Sequence, residues 1–285
     1  MSWSSTCPNP SANDAATVQK GVNYVPAEVG FSPLRAKLFP APYFSAMKRL
    51  VFLLLLAACN QTPPPTTATK TAPVIPGPDL ATLTDSAAPA ALLAYGRQYP
   101  GSEVLIRTRL GNIRVKLYDD TPIHKANFLL LARKGVFDET MFNRVVKNFA
   151  VQGGQTYNAR TIRLKRYRLP PEFRPAHFHR KGALGMARYD DEQNPGRLSS
   201  NTDFYFVVGE KMAPFQSQAM AGRRLTPAQT QAYATVGGVP SLDGQYTVFG
   251  EVVEGQDVVD RIANEPVESD KWPVTDITLK VEVVK

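Results

Sequence analysis

Cysteine is nearly absent from this chain: two residues in 285, Cys7 and Cys59. They could form one disulfide at most, and both lie outside the part that reads as folded, so no disulfide framework holds the fold. Histidine is as scarce, with three. His177 and His179 could present two imidazoles on one strand face, but no third ligand of suitable type accompanies them. His124 reads as lying on the exposed face of a helix, so neither a metal nor any other cofactor is expected. The extended apolar run at 50–58 has nine residues, too short to span a bilayer as a mature helix. The basic excess, a net +8, is scattered apart from Arg160, Arg163, Lys165, Arg166 and Arg168, and no aromatic stacking platform goes with that patch. Nucleic acid is therefore not an expected partner. The acidic groups Asp119/Asp120 and Asp190/Asp191/Glu192 fall in turns, where capping and solvation account for them.

What the chain does have is concentrated at 142–154. Apolar and polar side chains mix there around β-branched residues, as in a half-buried strand, and the stretch closes on Gln152-Gly153-Gly154. Arg144 and Phe149 differ in parity, so a straight strand would send them to opposite faces. A bend between them would bring a cation, an aromatic ring and the Gln152 amide to one surface. That set suits a ligand with a carbonyl and an apolar ring. It does not suit covalent hydrolysis, which needs a nucleophile and a base.

The stretch resembles the signature of cyclophilin-type peptidyl-prolyl isomerases, a Phe-His-Arg that opens a run ending Phe-Met-x-Gln-Gly-Gly. Asn143 stands at the His position and Ala150 at that of a larger apolar residue. Three more runs resemble the family in the correct order. Met186-Ala187-Arg188 matches a Met-Ala-Asn run that lines the substrate groove, followed by Thr202-Asp203-Phe204-Tyr205 for Ser-Gln-Phe-Phe/Tyr. Leu242-Asp243-Gly244 through Val248-Phe249-Gly250 matches Leu-Asp-Gly-x-His-x-Val-Phe-Gly, with Ser241 at a Trp position and Tyr246 at the His. The resemblance implies a closed eight-stranded antiparallel β-barrel capped by two helices, over 103–285. It implies Arg144, Phe149 and Gln152 as catalytic residues, and Ala150, Ala187, Arg188, Asp203, Tyr205, Leu242 and Tyr246 as substrate contacts. Asp203 replaces a Gln and would put a carboxylate where it can pair with Arg144.

Within that region, 103–110 and 113–118 read as a hairpin turning at Gly111-Asn112. A helix follows, capped by Asp120 or Thr121 and stopped by Gly135. Residues 210–236 form an insertion with one short helix expected at 225–233, and 258–263 and 277–284 give a last helix and strand. Residues 79–102 read as a short helical lead-in interrupted at Pro89.

The N-terminus reads as an address. Met47-Lys48-Arg49, the apolar run and Ala57-Ala58-Cys59 have the three parts of a secretory signal, and Leu56-Ala57-Ala58-Cys59 resembles a bacterial lipobox, which implies lipidation of Cys59. Residues 47–58 are then the signal peptide and 59–78 a Pro/Thr-rich linker. Met47 is the expected start, with 1–46 an upstream mis-start or a disordered segment. The function expected is isomerisation of prolyl bonds in extracytoplasmic proteins, by a monomer lipid-anchored at the periplasmic or outer-membrane face of a Gram-negative-type cell. The alternative is a catalytically weak cyclophilin-like binding module or chaperone of the envelope.

Overall fold

Period-two alternation fixes where the core lies. The computed structural model describes residues 76–155, 164 and 166–285; the readings for residues 1–75 and for Arg160, Arg163 and Lys165 fall outside the described residues. β1 (Glu103–Thr108) and β2 (Gly111–Leu117) bury Val104, Ile106, Ile113 and Val115 completely, while the residues between them are more exposed. Thr108 pairs with Gly111, so the hairpin turns at Arg109-Leu110, two residues earlier than expected. Gly111 serves packing instead: a Cβ there would stand 2.9 Å from the Val258 side chain.

Helix α1 (Ala88–Gln98) precedes this hairpin, and Pro89 opens it rather than interrupting it, because the first turn needs no N–H from that position. Leu80, Leu83, Leu92 and Tyr95 belong to the same apolar core as the barrel, so the lead-in is part of the folded unit. Helix α2 (Pro122–Arg133) stops before Gly135, which takes φ +65°. Thr121 is its N-cap residue, but its side chain makes no capping bond. The carboxylate of Glu172 accepts from the backbone N–H of Ile123 (3.1 Å) and His124 (2.9 Å) instead. His124 is fully buried, contrary to the exposed face expected. Its Nδ1 lies 2.6 Å from the same carboxylate and its Nε2 3.0 Å from Ser199 Oγ.

Eight antiparallel strands close the barrel. β1 and β2 are joined by β3 (Thr140–Val146), β4 (Ala150–Gln155), β6 (Ala183–Met186), β8 (Phe204–Val207), β9 (Val248–Glu254) and β10 (Thr278–Val283), in the order β1-β10-β3-β4-β8-β6-β9-β2. Closure leaves the barrel itself without an edge strand. β5 (Arg168–Leu169) and β7 (Ser199–Ser200) pair as a small separate sheet. Helix α2 and helix α5 (Gln256–Ala263) contribute Phe128, Leu130, Val259 and Ile262 to the barrel core. The insertion holds two helices where one was expected, α3 (Pro214–Ala221) and α4 (Pro227–Thr235). Thr226 and Gln229 cap α4 reciprocally, a readable signal. Helix α3 follows an alanine cap and has no apolar stripe toward the core, so periodicity gave no sign of it.

Candidate active site

The 142–154 stretch is a hairpin, not a bent strand. β3 and β4 are linked through Lys147, Asn148 and Phe149, with Asn148 at φ +61° and the Phe149 N–H donating to the Val146 carbonyl (3.1 Å). Reversal of the chain is what overcomes the parity difference between Arg144 and Phe149. The register shifts at Asn143 and then sets Arg144 directly opposite Gln152. The row continues across the sheet: Gln152 faces Tyr205 on β8, and Tyr205 faces Gly185 on β6. Directly paired residues share a face. Four adjacent strands therefore present Arg144, Gln152, Tyr205 and the bare backbone of Gly185 on one surface. Phe204 and Phe206 point the other way, into the barrel core, so this row lies on the barrel's outside.

Gly185 is glycine for a reason of space: a Cβ would stand 2.4 Å from Cζ of Tyr205. The tyrosine ring thus lies against the β6 backbone. Phe149, Ala150, Ala187, Leu242 and Tyr246 complete a cup around it, Leu242 coming from a 3₁₀ turn (Pro240–Leu242). The enclosed space is only about 20 Å³, roughly one water's worth, so a ligand ring would seat against the cup rather than sink into it. Tyr246 meets Tyr205 edge-on, with centroids 6.1 Å apart at 88°. Burial lowers the basicity of Arg144 and nearby Tyr246 opposes this; a guanidinium still keeps its charge at any working pH.

Two expected contacts are placed elsewhere. Arg188 lies with its guanidinium 4.5 Å over the Tyr246 ring, donates to the carbonyls of Gln245 and Tyr189 (2.8 Å each) and pairs with Asp191 (2.6 Å). It braces the cup from behind, since its side chain is nearly buried. Asp203 forms no ion pair with Arg144 among the described residues. It lies just before β8 begins, and its carboxylate accepts from Ser200 Oγ (2.9 Å). Burial raises its pKa above the usual carboxylate value, while the Ser200 hydrogen bond and Arg166 pull it down.

His177 and His179 diverge. His177 stacks on Tyr118 (3.8 Å between centroids) and meets Asp120 (2.7 Å) at the surface. His179 is buried behind the cup, its Nε2 2.9 Å from the Tyr205 hydroxyl and its Nδ1 3.0 Å from Asp243 Oδ1. That carboxylate oxygen also accepts the His179 backbone N–H (2.8 Å), while Oδ2 accepts from the Tyr233 hydroxyl and from Arg223 Nη2, each 2.8 Å. Burial pushes the Asp243 carboxyl up, but the bonds and charge of His179 and the Tyr233 hydroxyl outweigh it and hold it below the usual value. Burial, with Tyr246 and Asp243 adding to it, raises the Tyr205 hydroxyl well above its usual value, so it stays protonated beside His179 Nε2. Sequence reasoning missed this chain: the two histidines were set aside as structural or surface residues for want of a third metal ligand, and Asp243 read only as part of a Leu-Asp-Gly run.

The lining residues hold no nucleophile set against a base. They offer a fixed cation, an amide and a shallow aromatic cup, the equipment of a barrel enzyme that acts on an amide without breaking it. Residues 103–283 match the family model described as cyclophilin type peptidyl-prolyl cis-trans isomerase. A protein of Staphylococcus saprophyticus, provisionally named a peptidyl-prolyl cis-trans isomerase, is 31% identical over 191 residues, covering 65% of this chain and 94% of its own length. A protein of the same provisional name from Staphylococcus haemolyticus is 33% identical over 181 residues, 62% of this chain and 88% of that one. Among solved structures, a Cryptosporidium parvum cyclophilin type peptidyl-prolyl cis-trans isomerase superposes with a TM-score of 0.49 at 20% identity, over 65% of this chain and 98% of that one. The chain belongs to the cyclophilin-type peptidyl-prolyl cis-trans isomerases.

Proposed function

We propose that Arg144, Gln152 and the cup around Tyr205 are the parts that carry prolyl isomerisation in this chain. The barrier to rotation about a peptide bond is about 18–20 kcal/mol and comes from amide resonance. A prolyl bond populates both isomers but exchanges slowly, over tens of seconds or more. Catalysis needs the twisted amide, with its pyramidal and more basic nitrogen, to be held better than either planar form. The observation that carries the reading is the row Arg144–Gln152–Tyr205–Gly185 across four strands. A proline ring resting on Phe149, Tyr205 and Leu242 would leave its nitrogen toward the Arg144 guanidinium, a donor that needs no proton transfer. Gln152 would hold the substrate backbone. Losing a transition-state interaction of about 3 kcal/mol slows turnover roughly a hundredfold. Arg144→Ala should therefore lower kcat/KM by about that factor in a protease-coupled assay on a prolyl tetrapeptide. Equal rates for wild type and Arg144→Ala would remove this assignment.

The substrates proposed are proline-containing segments of extracytoplasmic proteins, met at the cell envelope by an enzyme anchored through lipid on Cys59. The basic, apolar and Ala-Ala-Cys parts of residues 47–59 support this reading, and the Pro/Thr-rich linker would hold the barrel off the membrane. Cys59→Ala should move the protein from the membrane to the soluble fraction of its own cell. Unchanged membrane association would refute the anchor.

A further inference from the structure

Helix α3 is built inside out. The one residue it buries is Ser217, whose hydroxyl donates to the Pro214 carbonyl (3.0 Å), while Phe215 is 74% exposed and Met220 45%. Burying apolar side chains normally helps hold a helix down, and this helix forgoes that for its two largest. The insertion is fixed by other means. Arg223 and Tyr233 bind Asp243, Gln218 bridges the Arg223 carbonyl (2.7 Å) and the Leu225 N–H (3.1 Å), and the Tyr233 ring packs edge-on against Phe178. Phe215 and Met220 are thus free to serve something outside the fold.

They line a groove of about 490 Å³ together with Met212, Val239 and Phe149. Phe149 also lines the prolyl cup, so cup and groove are separated by one phenyl ring. Side chains two residues apart on an extended chain lie on the same side, about 7 Å apart, the spacing needed to straddle such a ring. We propose that this groove is a second substrate subsite, which takes a large apolar side chain (Leu, Met or Phe) two to three residues from the prolyl bond. The occupant is the polypeptide already seated in the cup, because the two depressions share Phe149 as a wall and a chain leaving the cup on that side meets α3. The subsite rests on the proposed function above and adds a sequence preference to it, supplied by the 210–236 insertion.

The test is calorimetric titration of the full chain with proline-centred peptides. Leu or Ser is placed two and three residues from the proline on either side, and each peptide is also assayed for turnover. At the matching position, Leu should bind about tenfold more tightly than Ser, as expected for partial burial of one aliphatic side chain. In the double variant Phe215→Ser/Met220→Ser, that gap should shrink to within about twofold. In Arg144→Ala, turnover should collapse while the Leu-over-Ser gap in binding stays, which separates failure of the isomerase assignment from failure of the subsite. Equal binding of Leu and Ser peptides at every position overturns the proposal, and so does a gap that the double variant leaves intact. Concentration-dependent self-association that the double variant abolishes, without any peptide preference, would assign the face to a second copy and also overturn it.

Discussion

Asp243 is the residue whose loss should reach furthest through the pocket. Its side chain is 1% exposed and receives four donors: the His179 backbone N–H and Nδ1 on one oxygen, the Tyr233 hydroxyl and Arg223 on the other. Truncation to Ala would leave three of these buried and unanswered, whereas water can reach the partly exposed Arg223. Each orphaned buried donor costs about 1–3 kcal/mol, with local relaxation recovering part. A net loss of about 3–5 kcal/mol follows, in line with removing one member of a buried pair. For a folded unit of this size, about 2–4 °C per kcal/mol makes that a fall in Tm on the order of 10 °C. The pH dependence has a definite sign. A carboxyl held below its unfolded value contributes stability that is present above about pH 4 and is lost as pH falls through the folded value. Asp243→Asn removes this titration, so thermal scans should show a smaller loss of Tm for Asp243→Asn than for wild type below about pH 4. Wild-type and Asp243→Ala midpoints within about 2 °C at neutral pH would show that the donors find other partners, and would refute the reasoning.

Two further substitutions test the geometry of the row. Gly185→Ala puts a methyl 2.4 Å from the Tyr205 ring, so the ring must lift into the cup; kcat/KM should fall about tenfold, roughly 1.4 kcal/mol of lost binding, with circular dichroism unchanged, and full activity would refute the flat seating of Tyr205. Asp203 titrates opposite in sense to Asp243: its raised carboxyl pKa means burial disfavours the charged form, a penalty complete at neutral pH and relieved as pH falls toward its unfolded value. Asp203→Asn should therefore raise Tm at pH 7, with the gain vanishing near about pH 4, and should leave Arg144-dependent turnover where it was. A rise in kcat/KM for Asp203→Asn would mean that the carboxylate does restrain Arg144 after all.

The closed barrel was legible through the resemblance of ordered segments to one family; alternation and turn residues by themselves gave individual strands and helices. The 103–118 hairpin and the α2 segment could be read from residues alone, but the turn at Arg109-Leu110 was displaced, His124 was given the wrong face, and the cap of α2 comes from Glu172. The turn was displaced because Gly111 answers to the Val258 side chain, a contact 147 places away in the chain that no local pattern records. The row of site residues was partly legible. Arg144 and Gln152 lie in one stretch, but their pairing depends on a reversal at Asn148, a position where an asparagine at positive φ is easily read as strand. Asp203 was placed beside Arg144 by the resemblance, which set it at a Gln position; it lies just before β8 begins, and its carboxylate is taken by the Ser200 hydroxyl, a local contact that no strand pattern records. The Asp243–His179–Tyr205 chain was not legible at all. Its members are 26 and 64 residues apart in sequence, so no local pattern brings His179 to Tyr205 and Asp243.

That chain also gives the insertion a place in the enzyme. Leu242 forms one wall of the cup, and the residue next to it, Asp243, is the anchor to which Arg223 and Tyr233 of the insertion attach. The same carboxylate holds His179, which holds the hydroxyl of the cup's central ring. A phenylalanine at position 205 would need no such partner, whereas a tyrosine with its hydroxyl buried must find one. The hydroxyl of Tyr205, the carboxylate of Asp243 and the basic and phenolic groups of the insertion therefore form one linked requirement. Removing the insertion would leave Asp243 with two donors in place of four. It would loosen the wall that carries Leu242 and expose the side of Phe149 that faces α3. The insertion is thus a structural part of the cup around Tyr205, and under the proposed subsite its exposed apolar face is what a substrate chain leaving that cup would meet.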